Sequence, residues 1–294
     1  LIDIEGADGS GKTEQAKRLF ERIKQEGHAA SYFDFPQYES SRIGKLIGEL
    51  LAGKHGDFMS TPAYLSALPY SIDRASAREN LVSSLAAGKI VVSNRYTPSN
   101  LAHQSAKLPR DEQPALVEFI EGVEYNDLGI PRPDIVFYLS VPTDISSDLI
   151  GKKEKRNYLG GETRDLAERN IAHQDRTRAA YLRLAEEKGW HVIECTQGGA
   201  MRTREDIHED IWKIVQNGAD YALMYFCLGR GGETGEIIEK IKKVIRNEGG
   251  IISLEKRDAI KSEIGDVLWY LSQIARVSGI ELADAAAANI EKVA

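Results

Sequence analysis

The chain reads as an α/β unit built on a five-stranded parallel sheet, followed by an all-α unit. Three observations predict this. Short β-branched runs alternate with helical-period stretches up to about residue 215. The first of these runs leads into a glycine-rich loop that opens a helix. Beyond Asn217-Gly218, helical periodicity continues with no further convincing strand. At 294 residues the chain has room for about two domains, and the expected division is 1–217 and 218–294. The expected strands are Leu1 to Glu5, Ala29 to Phe35, Ile90 to Ser93, Ile135 to Val141 and Val192 to Cys195. Helical-period segments such as Glu14 to Gln25 and Arg169 to Lys188 lie between them. In the second unit, Asn247-Glu248-Gly249-Gly250 and Ser278-Gly279 are the expected breaks.

Composition excludes several classes. With 42% hydrophobic and 28% charged residues, long intrinsic disorder is ruled out. A net charge of −7 argues against a broad nucleic-acid surface, so an anionic ligand must be caught in a local basic pocket. No apolar run reaches the roughly 18 residues of a membrane span. The start LIDIEG has neither a basic n-region nor a long h-region, so no targeting signal is expected; without an initiator Met it reads as a trimmed copy. Cys195 and Cys227 show no CxxC or Cys/His spacing, which fits buried small hydrophobes in a reducing cytoplasm rather than a zinc site.

Directly after the first strand, Gly6-Ala7-Asp8-Gly9-Ser10-Gly11-Lys12-Thr13 satisfies G-x-x-x-x-G-K-[ST] in the strand-loop-helix context that the motif requires. Gly6, Gly9 and Gly11 let the backbone curl so that its N–H groups, Ser10 included, point at phosphate oxygens, and the following helix adds its positive N-terminus. Lys12 is expected to hold the β and γ phosphates of ATP, and Thr13 to bind Mg²⁺. Asp8 is repelled by the phosphates it adjoins and so is expected to face the acceptor, accepting from a sugar hydroxyl.

At this point the chain resembles the thymidylate kinases, whose loop commonly carries an Asp at this position. Phe35-Pro36-Gln37-Tyr38, Tyr70-Ser71-Ile72-Asp73-Arg74 and Asn94-Arg95-Tyr96-Thr97-Pro98-Ser99 extend the resemblance over about the first 215 residues. It implies a P-loop NTPase fold and phosphorylation of dTMP by ATP. That reaction needs cations to hold an anionic acceptor in line with the γ-phosphate. Arg74 and Arg95 are the candidates, because a guanidinium grips phosphate in a two-pronged way; structural ion pairs are the alternative. Tyr70 is expected to stack on the thymine, or else to be core. Phe35 walls the base pocket, Tyr38 lines it, and Ser99, Asn100 and Gln104 offer partners to the base edges. The run Gly151 to Tyr158 is the family's lid, from which Arg156, and after it Lys153 and Lys155, neutralise transition-state charge, since Gly9 stands where one class carries arginine.

Two departures bear on the acceptor. The family's third strand normally ends Asp-Arg, whereas here it ends Asn94-Arg95, and an Asn cannot supply the negative charge that orients hydrated Mg²⁺; a different acid, such as Glu5, is then required, or the reaction slows. Some relatives carry an arginine in place of Tyr38. A methyl group is worth only about 1–3 kcal/mol of discrimination, so dTMP and dUMP stay unseparated, and another deoxynucleotide or a deoxynucleoside is the alternative acceptor.

The second unit holds a carboxylate pseudo-repeat. Glu233-Thr234-Gly235-Glu236-Ile237-Ile238 is matched thirty positions on by Glu263-Ile264-Gly265-Asp266-Val267-Leu268. On a helix each pair of acids lies about 60° apart on the edge of an apolar stripe. Four clustered anions need cations to be tolerable, and hard oxygen ligands in that number suit Mg²⁺ or Mn²⁺. Gly235 and Gly265 suggest close approach of backbone or ligand, and Lys240, Lys242 and Lys243 are candidates to meet phosphate oxygens. The pattern resembles the all-α pyrophosphohydrolases of the MazG and dimeric dUTPase type. That resemblance implies water attack between the α and β phosphates of a (d)NTP, dUTP being one candidate, with Glu233, Glu236, Glu263 and Asp266 holding Mg²⁺. It also implies a homodimer, in which Trp269 and Tyr270 serve either the contact or the core. The helix before the first motif is expected to be short, either because residues are missing near 218–228 or because the base-binding wall is reduced. The reading is a bifunctional cytoplasmic nucleotide enzyme, with neither nucleic acid nor membrane as partner. The alternative for the helical unit is a non-catalytic nucleotide-binding or dimerisation module.

Overall fold

Alternating apolar runs and amphipathic stretches become strands and helices in the order expected. A computed structural model describes residues 1–150, 166, 170–248, 252–278 and 280–293. Residues up to Ile211 form one unit and those from Trp212 a second.

In the first unit β1 (Ile2–Gly6), β2 (Ala30–Asp34), β3 (Ile90–Asn94), β4 (Ile135–Ser140) and β5 (His191–Glu194) make one sheet in the order β2-β3-β1-β4-β5. Every pairing in it is parallel. Such a sheet is covered on both faces, so its central strands read as continuous apolar runs. β4, IVFYLS, follows this rule and is buried from Val136 to Ser140; β1, IDIEG, is buried throughout although Asp3 and Glu5 interrupt its apolar run. The helices are α1 (Lys12–Gln25), α2 (Arg42–Leu51), α3 (Ala63–Ser76), α4 (Arg78–Ala86), α5 (Thr97–Ser105), α6 (Gln113–Glu121), α7 (Thr143–Ile150) and α8 (Ile171–Lys188). One apolar cluster joins Ala67 of α3, Leu101 of α5, Leu116 and Ile120 of α6, Tyr138 of β4 and Leu184 of α8. A second joins Phe35, Leu81, Val91 and Tyr96.

Strand order reverses at β1, which has β3 on one side and β4 on the other. In open α/β sheets ligands settle in the crevice at that reversal, outside the carboxyl ends of the strands. The glycine-rich loop leaves β1 at this point, and Asn94 and Arg95 leave β3 beside it.

A short antiparallel pair, β6 (Thr196–Gln197) and β7 (Ala200–Met201), was not expected. Gly198 and Gly199 both have positive φ, 60° and 79°, the backbone that a two-residue hairpin turn demands. Cys195 is a buried free thiol whose pKa burial pushes up to about 12, an inert small hydrophobe as expected. The side chain of Cys227 lies outside the described residues.

The remaining chain is helical: α9 (Arg204–Glu248), α10 (Leu254–Val277) and α11 (Leu282–Val293). The helix before the first carboxylate motif is not short, since α9 starts at Arg204 and runs through Asn217-Gly218 without interruption. One glycine there costs only about 1 kcal/mol in a helix, too little to stop it. Among the described residues no helix is long and apolar enough to cross a membrane.

Candidate active site

The loop between β1 and α1 is shaped by Gly9 and Gly11, with φ of 87° and 86°. These values belong to the left-handed region that side chains disfavour. Gly11 is also the N-cap of α1, so Lys12 starts the helix and its side chain folds back over the loop. Its Nζ donates to Ala7 O at 3.2 Å and to Asp8 Oδ1 at 3.1 Å. The same Asp8 oxygen accepts from Arg95 Nη2 at 2.7 Å. One carboxylate thus holds two cations side by side, Lys12 buried and Arg95 half-buried. Arg95 has φ of 65°, an uncommon value for a residue with a side chain. Its N–H donates to Ile4 O at 3.1 Å, and its Nη1 donates to Ser99 Oγ at 3.0 Å. Backbone strain held in this way costs on the order of 1–3 kcal/mol and gathers at functional sites. Asp8 was expected to meet a sugar hydroxyl; here it joins the two cations.

Asp8, Lys12 and Arg95 line a cavity of about 930 Å³ that also takes in Thr13, Phe35, Tyr38, Tyr70, Arg74, Ser99, Asn100 and Gln104. Eleven of the expected site residues therefore surround one space, drawn from α1, α3 and α5 and from the three loops that follow β1, β2 and β3. Phe35 packs edge-on to Tyr96 at 5.8 Å, and Tyr70 lies beside Phe58 at 6.3 Å. Asp73 ties the segment after β2 to α3: its carboxylate accepts from the Gln37 N–H at 2.9 Å and from Ser41 Oγ. That clamp sets where Phe35 and Tyr38 stand.

Arg74 departs from expectation. Rather than offering a free fork to phosphate, its Nε and Nη2 donate to the two oxygens of Glu124, both groups being buried. The ion-pair alternative is the one observed. Glu124 further accepts from Ser71 Oγ at 2.9 Å, Thr97 Oγ1 at 2.6 Å and Asn100 Nδ2 at 2.8 Å, and this set of partners holds its carboxyl below the usual range against the opposing effect of burial. The residue sits on a single π-helical turn, Gly122–Asp127, an irregularity that frequently marks a functional site. Because Asn100 Nδ2 is engaged, its Oδ1 points elsewhere and is buried with no partner among the described residues.

Ser99 Oγ donates to Glu5 Oε2, and Gln104 Oε1 accepts from Ser66 Oγ, both at 2.7 Å. Glu5, the acid proposed to stand in for the missing strand-end Asp, is consumed structurally. Its oxygens accept from the N–H groups of Tyr96 and Ser99, from Ser99 Oγ and from Tyr181 Oη, all within 2.9 Å. No valence is left for a hydrated cation.

Residues that sequence reasoning passed over also line the cavity. His103 lies 3.3 Å from Arg95 Nη1, and burial together with that guanidinium keeps its imidazole neutral well below the ordinary pKa. Lys107 Nζ donates to Thr61 O and Ser66 Oγ, and burial draws its pKa down to about 8. Asp34 ends β2 opposite Asn94. A parallel β2-β3 pairing was the signal that could have found it. Glu124 gave none, since it reads as one more acid in a charged helical stretch. Arg156, Lys153 and Lys155 lie outside the described residues.

Of the four carboxylates of the second unit, the side chains of Glu236, Glu263 and Asp266 are among the described residues. Lys240 Nζ donates to Glu263 at 3.0 Å, so the first-motif helix and the second lie side by side. Glu236 and Asp266 are exposed, and the Glu233 side chain lies outside the described residues. Among the described residues no three acidic, His or Cys groups gather as a metal site. Lys240 takes the counter-charge at Glu263. Gly265 has open space around its Cα, not a close neighbour. Trp269 is exposed and meets Tyr270 edge-on at 4.9 Å, so Trp269 is not core.

A thymidylate kinase family model matches residues 4–211. The chain belongs to the thymidylate kinase family. A model of the MazG nucleotide pyrophosphohydrolase domain matches residues 230–294, so this thymidylate kinase family member is an enzyme with a second, hydrolytic domain. Among its relatives, the thymidylate kinase of Mycobacterium tuberculosis is 31% identical over 190 residues, 65% of this chain and 87% of the relative. A probable thymidylate kinase of Thermococcus onnurineus is 33% identical over 74% of this chain and 97% of its own length. The structure of thymidylate kinase from Candida albicans aligns with a TM-score of 0.57 at 22% identity, covering 74% of this chain and 91% of that one, a likeness of fold.

Proposed function

We propose that the first unit transfers the γ-phosphoryl group of ATP to dTMP, giving dTDP and ADP. The observation that carries this is the pairing of Lys12 and Arg95 through one oxygen of Asp8, in a cavity that also contains the unpartnered acceptor Asn100 Oδ1. The two cations suit two phosphate chains meeting end to end. The buried amide oxygen suits an N–H donor on the base edge.

In this reading the loop N–H groups and Lys12 hold the ATP phosphates, with Gly6, Gly9, Ser10 and Gly11 shaping the cradle. Arg95 holds the acceptor phosphate, whose oxygen attacks the γ-phosphorus as the bond to the β-bridging oxygen breaks and ADP departs with that electron pair. Asp8 keeps the two cations in register, and Arg74 is a positioning residue that acts through Glu124 and Asn100. Tyr70 and Phe35 enclose the base. Tyr38, Ser99 and Gln104 complete the wall, and Arg156, Lys153 and Lys155 reach the phosphates. Mg²⁺ fits the Thr13 hydroxyl at the loop mouth, where Asn94 Oδ1 is a buried acceptor without a partner; when bound it neutralises phosphate charge. Chromatography of products from ATP, Mg²⁺ and dTMP tests the reading, with dTDP and ADP expected. Arg95→Ala should raise the dTMP KM at least tenfold while that for ATP moves much less; equal effects on both would sink the assignment.

For the second unit the proposal is hydrolysis of a (d)NTP, dUTP being the first candidate, to monophosphate and pyrophosphate. Glu233, Glu236, Glu263 and Asp266 are the proposed Mg²⁺ ligands, with Lys240 as counter-charge to Glu263. Support comes from the matched motifs and from the side-by-side helices joined by the Lys240–Glu263 pair. Exposed Ile238, Ile245, Ile264 and Leu268 support a homodimer that covers them. Glu263→Gln should abolish Mg²⁺-dependent pyrophosphate release while leaving dTDP formation intact, and equal rates across the dNTPs would remove the dUTP preference. A cytoplasmic location remains part of this reading.

A further inference from the structure

The loss of a carboxylate at the end of β3 is answered across the sheet. β2 and β3 run parallel in a register that sets Asp34 opposite Asn94, each the last residue of its strand. Asn94 Nδ2 donates to Asp34 Oδ1 at 2.8 Å and to Thr13 Oγ1 at 3.1 Å. A single amide nitrogen therefore joins the carboxylate to the hydroxyl at the loop mouth. Asn94 itself is 4% exposed, and its Oδ1 has no partner among the described residues. Asp34, Thr13, Asn94 and Lys12 all line the same cavity. Asp34 differs from Glu5 in the way that matters here: Glu5 is saturated by four donors, whereas Asp34 is exposed at the cavity wall.

We propose that Asp34 supplies the negative charge for the divalent cation of the ATP complex, with Asn94 as the hydrogen-bonding bridge that fixes it beside Thr13. The inference rests on the kinase reading above and deepens it. Magnesium gives up its waters reluctantly and is commonly bound through one or two carboxylates plus phosphate oxygens. A carboxylate one shared donor away from the Thr13 hydroxyl, together with the free Asn94 Oδ1, forms an acceptor pair for such waters. Charge and orientation, which one strand-end Asp can provide together, are here divided between two neighbouring strand ends.

The test is Mn²⁺ binding, followed by electron paramagnetic resonance, to the full chain saturated with β,γ-methylene ATP. The resonance reads metal affinity independently of turnover. Asp34→Asn should weaken Mn²⁺ binding at least tenfold with little change in metal-free affinity for the analogue. The exchange variant Asp34→Asn with Asn94→Asp should recover it to within about threefold, because the charge moves to the neighbouring strand end. Unchanged Mn²⁺ affinity in Asp34→Asn overturns the proposal, as does a folded exchange variant that recovers nothing. Should Asp34→Asn fail to fold, Asp34→Ser carries the same expectation. A wild type that binds Mn²⁺ and the analogue but phosphorylates no dTMP would defeat the acceptor assignment alone, while a wild type without metal-dependent analogue binding would overturn both.

Discussion

Glu124 shows how much one buried charge organises. It pairs with Arg74 and receives Ser71, Thr97 and Asn100, so a neutral amide there would leave the guanidinium without its counter-ion and break several bonds at once. Breaking a buried ion pair from one side costs about 3–5 kcal/mol. Glu124→Gln is therefore expected to lower unfolding free energy by about that amount in urea titration, and a loss below about 1 kcal/mol would show that the pair is dispensable. Lys12, Arg95 and Asn100 were legible as residues that come to line one cavity, because each falls in a motif with a stated chemical need. Arg74 was legible only as a cation. Its partner comes from 50 positions away, and nothing in either local sequence announces the pairing.

Elements place these side chains through a few backbone features. Gly11 adopts φ of 86° where it caps α1. Gly11→Ala is expected to cost about 1–2 kcal/mol of stability, the left-handed penalty for a side chain, and to weaken ATP binding measured calorimetrically; unaltered binding would argue that the loop tolerates the strain. The helix α8 is capped by Asn170, whose side chain accepts from the His173 N–H at 3.0 Å. Strand identities were readable from β-branched runs. The β6-β7 hairpin was missed because strands of two residues carry no period, although Gly198-Gly199 is a hairpin signal. The π-helical turn that presents Glu124 has no sequence signature at all.

At the scale of the molecule, burial decides protonation. His103 and His173 lie 6.1 Å apart, and both are held below the ordinary imidazole pKa, first by burial and then by Arg95 for His103 and Arg176 for His173, the latter lowered to about 4. A depressed folded-state pKa means that the unfolded chain binds the proton first. The stability is thus fully present above about pH 6.5 and is lost as pH falls through about 4. His173→Gln should flatten thermal stability across that window, and an unchanged acid slope would assign the loss to other groups. Sequence by itself determined the class of the fold, the five strands, the phosphate loop and the two catalytic families, because each rests on local periodicity or on a motif whose spacing is its mechanism. Only the tertiary structure decided which charges meet. Asp34 beside Asn94, Arg74 on Glu124, Glu5 filled by four donors and Lys240 on Glu263 all join residues far apart in the chain. Such pairings follow from strand order and helix packing, which no local pattern encodes.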